Sequence, residues 1–426
     1  MQDILLLLDI LVPVLTVTIY LSKYKSVVFD HVTVFSFAFL YYWILPIFVG
    51  RICDFFEAEN EGVFPPLQFW YSYFTQVDTN NIALYLGISL MFYLCFVCGG
   101  IYKRKDVQPS PRLFFSHKLG YNIISLTLLL ILLWLVISLK DFLFTGYLVA
   151  GEVKGYYQGM LSSLELGFFS LYMTYNINHN YSNKGFFAVA CNCYLIPYLV
   201  CSVLLLSMGG RLYVISTVVM ILAYYTIHQK PLSYKNTFMY SLLFMLALGT
   251  IGVFRLGGET DVFFQDVIGN VLLESMLTSI SLLTFIDFNA FEIFGEPWIF
   301  CSYLVDVLPR VLFDDLRQEF FVDVASLGYY YESPLGALNS FVSFMICFGV
   351  FGSSIVLFFF GLFMTWLKKQ SESICQIMYS MLVGCIMFTF FRDPFSVSII
   401  KNIIQNSIII PILWMLLLFG FSRIKR

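Results

Sequence analysis

Runs of about 20 apolar residues recur along the whole chain, separated by short polar stretches. A run of that length matches the hydrocarbon thickness of a bilayer. In lipid every backbone polar group has to be satisfied within the segment, and a helix does that. The charge content agrees: 12% of the 426 residues are Asp, Glu, Lys or Arg, about half the share in a soluble domain. The expectation is an all-α, polytopic transmembrane helical bundle of about eleven spans, with a large outer loop containing short amphipathic helices.

The spans read as 4–21, 32–49, 82–102, 119–139, 163–178, 185–207, 212–228, 237–254, one within 337–367, 374–391 and 403–419. This divides the chain into an N-terminal set of eight spans (1–254), a large extracytoplasmic interval (255–335) and three C-terminal spans (336–426). The first run has no basic residues ahead of it and no small-residue cleavage site, so it reads as a retained span. Lys and Arg orient the whole. With the N-terminus outside and the C-terminus in the cytoplasm, inner loops collect Lys103-Arg104-Lys105, Lys368-Lys369 and the terminal SRIKR. That is the pattern of a multi-pass membrane protein.

The interval 255–335 is more than a loop. VIGNVLLESMLTSISLLTFI and WIFCSYLVDVLPRVLF have helical apolar periods. They would lie in the interface plane or form an extra pair of short or re-entrant spans. Glu274 and Asp287 argue against deep burial of the first. In the run near 337–367, Gly349 and Gly352 suggest a break in a stretch too long for one straight span.

Several functional classes are excluded. No Gly-rich phosphate loop follows a strand, so the chain alone does not drive transport with ATP. Most cysteines lie in apolar runs, as small core residues; Cys53 and Cys301 lie near or outside the membrane and could pair. The four histidines fall on the cytoplasmic side, leaving none outside for metal or acid–base work, and no cofactor is expected. Nothing suggests a nucleic-acid partner. Asp9 and Glu165 are the ionisable residues inside or at the end of spans.

The remaining candidates lie on the outer side. Arg51, Arg211, Arg255, Arg310, Arg317 and Arg392 offer rigid bidentate forks for phosphate, and Arg211, Arg255 and Arg392 sit at span ends, near the headgroup plane. Gly209 and Gly210 precede Arg211 in a tight turn that would let backbone approach a ligand. Glu319, Asp323 and Glu332 are candidate general bases for a sugar hydroxyl. Tyr329, Tyr330 and Tyr331 could stack on sugar rings or serve as interfacial anchors.

With these features the chain resembles the Wzy-type polymerases of O-antigen and capsular repeat units, which are bacterial membrane glycosyltransferases. The matching features are the Gly209-Gly210-Arg211 turn, the large interval ahead of the last three spans, and the Gly- and Phe-rich run FGVFGSS. An Arg followed by ten residues and a Gly also fits, from Arg317 to Gly328 and from Arg51 to Gly62. The resemblance implies transfer of a growing glycan from polyprenyl diphosphate to the next polyprenyl-diphosphate-linked repeat unit, on the outer face of the bacterial plasma membrane. It implies membrane lipid, a chain-length regulator and a flippase as partners. Together with the residue reading above, it selects Arg211, Arg255, Arg317, Arg392, Glu319, Asp323 and Glu332 for catalysis. For substrate binding the two together select Arg51, Gly209, Gly210, Arg310, Gly328, Tyr329, Tyr330 and Tyr331. The alternatives are an O-antigen ligase, which would use an outer histidine absent here, and a lipid-linked oligosaccharide flippase or other transporter.

Overall fold

The computed structural model describes residues 2–24, 29–55, 65–102, 118–141, 143, 152–178, 194–208, 211–228, 239, 242, 246, 249–250, 263–289, 295–308, 310–370, 372–387 and 389–424. The helices are, in order, α1 (Gln2–Tyr24), α2 (His31–Phe39), a π-helical turn (Leu40–Ile44), α3 (Leu45–Phe55), α4 (Pro65–Phe74) and α5 (Thr79–Ile101). They continue with α6 (Lys118–Leu139), α7 (Glu152–Asn178), α8 (Leu195–Ser207), α9 (Arg211–His228), α10 (Phe263–Phe288), α11 (Pro297–Leu304) and α12 (Arg310–Glu319). The last are α13 (Ser340–Lys369), α14 (Ser373–Met387), α15 (Thr389–Arg392), a long π-helix (Ser396–Ile409) and α16 (Ile410–Ile424).

Seven of the described helical stretches are long and apolar enough to cross a membrane. Six correspond to the expected spans one to four, nine and eleven. The seventh, Val267–Phe288, falls inside the interval read as a loop with short amphipathic helices. The structure instead makes α10 one helix of 26 residues. Its charge at Glu274 is tolerated because a partner arginine neutralises it. Expected spans six, seven and ten are represented by shorter helices, and most of 237–254 lies outside the described residues.

The chain divides into two compact units. The first comprises 1–104, 232–365 and 386–401. Its core is a cluster of aromatic rings. Phe35 stacks on Phe96 at 3.8 Å, Trp43 meets Phe341 edge-on at 4.6 Å, and Tyr42 stacks on Phe391 at 5.8 Å. Such pairs add about 0.5–1.5 kcal/mol beyond their buried area. Where α5 crosses α13, glycines bring the backbones together. A β-carbon at Gly99 would lie 2.0 Å from the Phe358 carbonyl oxygen, and one at Gly361 would lie 2.3 Å from that of Phe96. Small residues pack helices this way in lipid, where apolar side chains gain nothing by leaving the solvent. Buried polar groups pin the same crossing: Thr365 Oγ1 donates to the Gly100 carbonyl at 2.6 Å and lies 3.2 Å from His31 Nε2.

Helix α13 is not one straight span. The Phe390 ring lies 5.3 Å from Phe341 and 5.5 Å from Phe360, so those two rings are within about 11 Å. Nineteen residues of straight helix would separate them by about 28 Å. The chain doubles back at Gly349, whose φ of 63° and ψ of −176° lie outside the helical region and suit glycine alone. The break expected between Gly349 and Gly352 is therefore at Gly349. The Ile346 carbonyl near the break accepts the Glu296 N–H at 2.8 Å. Gly295 makes that approach possible, since a β-carbon there would lie 2.4 Å from the Gly349 nitrogen.

The second unit comprises 105–231, 366–385 and 402–426. Tyr121, Tyr175 and Tyr194 form an aromatic trio, with Tyr175 and Tyr194 at 4.4 Å. Trp414 on α16 donates to the Gly167 carbonyl of α7 at 3.2 Å. Ser202 on α8 donates to Glu165 on α7 at 2.5 Å, and Tyr198 donates to Thr217 on α9 at 2.5 Å. The cysteines among the described residues, Cys53 and Cys301 included, are free thiols.

Candidate functional site

Helix α10 organises the polar groups of the first unit. Ser275, Thr278, Ser279, Ser281 and Thr284 are buried on it. Their hydroxyls donate back to carbonyls three or four residues earlier, such as Thr278 to Glu274 at 2.8 Å and Thr284 to Ile280 at 2.7 Å. The oxygens remain free to accept. Trp70 Nε1 donates to Ser279 at 2.8 Å, the Asn339 N–H to Ser281 at 2.8 Å and the Glu332 N–H to Thr284 at 3.0 Å. The hydroxyl stripe thus fixes α4, the start of α13 and the 329–332 strand of chain against one helix.

Midway along α10, Glu274 accepts from Arg392 Nε. The other arm of the fork, Arg392 NH1, donates to Asp393 Oδ1 at 3.1 Å. The three side chains are 24%, 16% and 11% exposed for Arg392, Glu274 and Asp393. The Tyr41 hydroxyl donates to the Val271 carbonyl one turn away. Tyr42 and Lys401 lie close enough to interact electrostatically with this group. Two wide helical segments present these residues: the π-turn carries Tyr41 and Tyr42, and the π-helix carries Lys401. π-Helical segments are rare and recur at functional sites.

Arg392 is the last residue of α15, at a helix end as the sequence suggested, and its side chain reaches across to α10. It meets α10 at Glu274, fourteen residues before the helix ends, or about 20 Å along its axis. The Arg392-Asp393-Pro394 segment links α15 to the π-helix.

The C-terminal end of α10 carries a second group. Asn289 donates to the Tyr330 carbonyl at 2.6 Å and accepts the Tyr330 N–H at 2.9 Å, so one amide holds that residue as a strand partner would. The Tyr330 ring meets Phe288 edge-on at 5.0 Å. Its hydroxyl donates to Glu332 Oε1 at 3.1 Å. Tyr73 of α4 also hydrogen-bonds Glu332, and that carboxylate pushes the Tyr73 hydroxyl up to about 12. Tyr73 in turn meets Phe69 edge-on at 5.2 Å. Tyr329 stacks on Phe285 at 6.2 Å, and Asn81 donates to Asp287 at 2.7 Å.

The other expected residues are dispersed. Arg317 on α12 pairs with Asp306 at 2.7 Å. Arg51 on α3 pairs with Asp3 at 3.0 Å and Asp54 at 3.3 Å. Glu319 and Asp323 are exposed, Tyr331 is half-buried, and Gly328 has a φ of 89°. Arg211 and Arg310 begin helices α9 and α12, and their side chains lie outside the described residues, as do Gly209, Gly210 and Arg255 altogether. Sequence reasoning named Glu274 only as a reason against burial and did not select Lys401. The available signal was the presence of acidic and basic residues in neighbouring apolar runs, since a charge in lipid requires a partner.

Among the described residues no group of His, Cys, Asp and Glu is arranged to hold a metal ion. No protein-family model matches the chain, and neither does any curated protein or any solved structure.

Proposed function

We propose that this chain is a membrane glycosyltransferase that polymerises lipid-linked oligosaccharide repeat units, moving the growing glycan from polyprenyl diphosphate to the next lipid-linked unit. The observation that carries this reading is the Arg392 fork held between Glu274 and Asp393, with Lys401 close by. A guanidinium already aligned on two carboxylates presents the geometry a diphosphate needs. In the low-dielectric interior such a cation stabilises the charge that develops on a leaving diphosphate. In the transfer, the acceptor hydroxyl oxygen bonds to the anomeric carbon while the bond from that carbon to the diphosphate oxygen breaks. The diphosphate leaves on Arg392 and Lys401, and Glu274, exchanged from Arg392, takes the hydroxyl proton.

A second reading, a flippase or other transporter of lipid-linked oligosaccharides, draws on the depth of the charge cluster and on the break in α13 at Gly349. One experiment separates the two. A deletion strain is complemented with wild type, Arg392→Lys or Arg392→Ala, and its surface glycan is resolved by length. Polymerisation predicts single-repeat product in the deletion and with Arg392→Ala, and a full ladder with wild type. Arg392→Lys keeps the charge and gives a weakened ladder. Complete loss of surface glycan, with lipid-linked units retained inside, would establish transport and overturn the polymerase.

A further inference from the structure

Two edge-to-face aromatic pairs, Phe288–Tyr330 and Phe69–Tyr73, flank the single carboxylate of Glu332. Both pairs belong to the first unit. Phe69, Phe288 and Tyr330 are 47%, 61% and 50% exposed, so water or ligand reaches their rings. The group is fixed before any ligand arrives. Asn289 clamps Tyr330 through two backbone bonds, Thr284 holds the Glu332 N–H, and both tyrosine hydroxyls point at Glu332.

The stretch of chain that carries this group is mostly acidic, and Asp323 acts electrostatically on the adjacent Tyr331. Between Asp287 and Glu332 the sequence has nine acidic residues and two basic ones, Arg310 and Arg317. Arg317 is engaged by Asp306. Flat apolar rings beside a carboxylate that still has acceptor capacity suit a ligand with apolar ring faces and hydroxyl edges. The negative field repels an anionic one.

We infer that this rim binds the pyranose rings of a neutral or amino-sugar chain, with Tyr330 and Phe288 as the stacking surface and Glu332 as the hydroxyl acceptor, and that it rejects glycans carrying uronic acids. This assigns a glycan class to the transferase proposed above and rests on that reading for its role. The binding itself is testable independently.

The test uses the full chain in nanodiscs, with isomaltoheptaose and a heptameric oligogalacturonate as probes, read by saturation-transfer NMR. The expected result is transfer to isomaltoheptaose and at least about tenfold weaker binding of the oligogalacturonate. Tyr330→Ala combined with Phe288→Ala should weaken isomaltoheptaose about tenfold. Glu332→Lys, at a half-buried position, should bring oligogalacturonate binding up to or above that of the neutral probe. Equal binding of both probes by wild type, binding of neither, or no change in any variant overturns the inference. Saturation transfer that follows the expected pattern in a protein whose deletion leaves the glycan ladder intact would keep the sugar site and discard polymerisation. A ladder lost on deletion, with probe binding indifferent to these residues, would do the reverse.

Discussion

Glu274 and Glu165 are two carboxylates on apolar helices, one in each unit, and they solve the same problem differently. Glu274 is met by a guanidinium, which itself spans a second carboxylate. Glu165 is fully buried, and one of its oxygens accepts from Ser202 while the other has no hydrogen-bond partner among the described residues. An ion pair of this kind contributes little net stability over apolar side chains of the same volume, yet breaking it by removing one partner is costly. On that ground the proposed function gives the pairing of Arg392 with Glu274 a role beyond stability. Glu165, bonded to one hydroxyl, has the environment of a structural acceptor. The two differ in burial, 16% against 0% exposed, and in partner, a guanidinium against a hydroxyl.

The strongest way to break the comparison is Arg392→Ala, which leaves Glu274 and Asp393 facing each other. It should destabilise by about 2–4 kcal/mol, somewhat under the value for a fully buried pair, because part of Arg392 is still exposed. Thermal unfolding in detergent measures it. Replacing Arg392, Glu274 and Asp393 together with Met, Met and Leu should restore most of that loss while leaving the glycan ladder abolished. A triple variant that stays as unstable as the single one would make the cluster a structural element. Glu274→Gln comes next, at about 1–3 kcal/mol, since the Nε arm of Arg392 loses its charged partner. Glu165→Gln should cost about 1 kcal/mol or less, because an amide oxygen still accepts from Ser202. If Glu165→Gln proved the costlier of the two, the partner-based distinction would fail. Ser202→Ala, which takes away the hydroxyl bonded to Glu165, should cost about 1 kcal/mol and leave the ladder unchanged.

The sequence made the helical, membrane-embedded class plain, because apolar runs of bilayer length need no tertiary information. It also exposed the break in α13, because two glycines in a run too long for one span have a local meaning. It showed a helical period over residues 267–286 but left open whether that helix lies in the interface or spans. Glu274 looked forbidding only because its neutralising partner, Arg392, lies 118 positions away. The same distance hid the pairing of Arg392, which local reading placed at a span end. The tyrosine rim was half legible. Tyr329, Tyr330 and Tyr331 stand out as a cluster, but Tyr73, Phe69 and Asn289 join them only through the packing of α4 on α10.

The contact of Gly295 with the backbone at Gly349 has a genetic corollary. Any single-base change that alters the amino acid at a glycine codon adds a β-carbon, and at Gly295 that carbon would lie 2.4 Å from the Gly349 nitrogen and 2.5 Å from the Ile346 carbonyl oxygen. At Gly349 the same change meets a φ of 63°. A randomly mutagenised library should therefore return loss-of-function alleles at both codons with nearly every missense change. At Gly87 and Gly420, where a β-carbon has no atom within 4 Å, missense changes to small residues should pass through the same screen unnoticed.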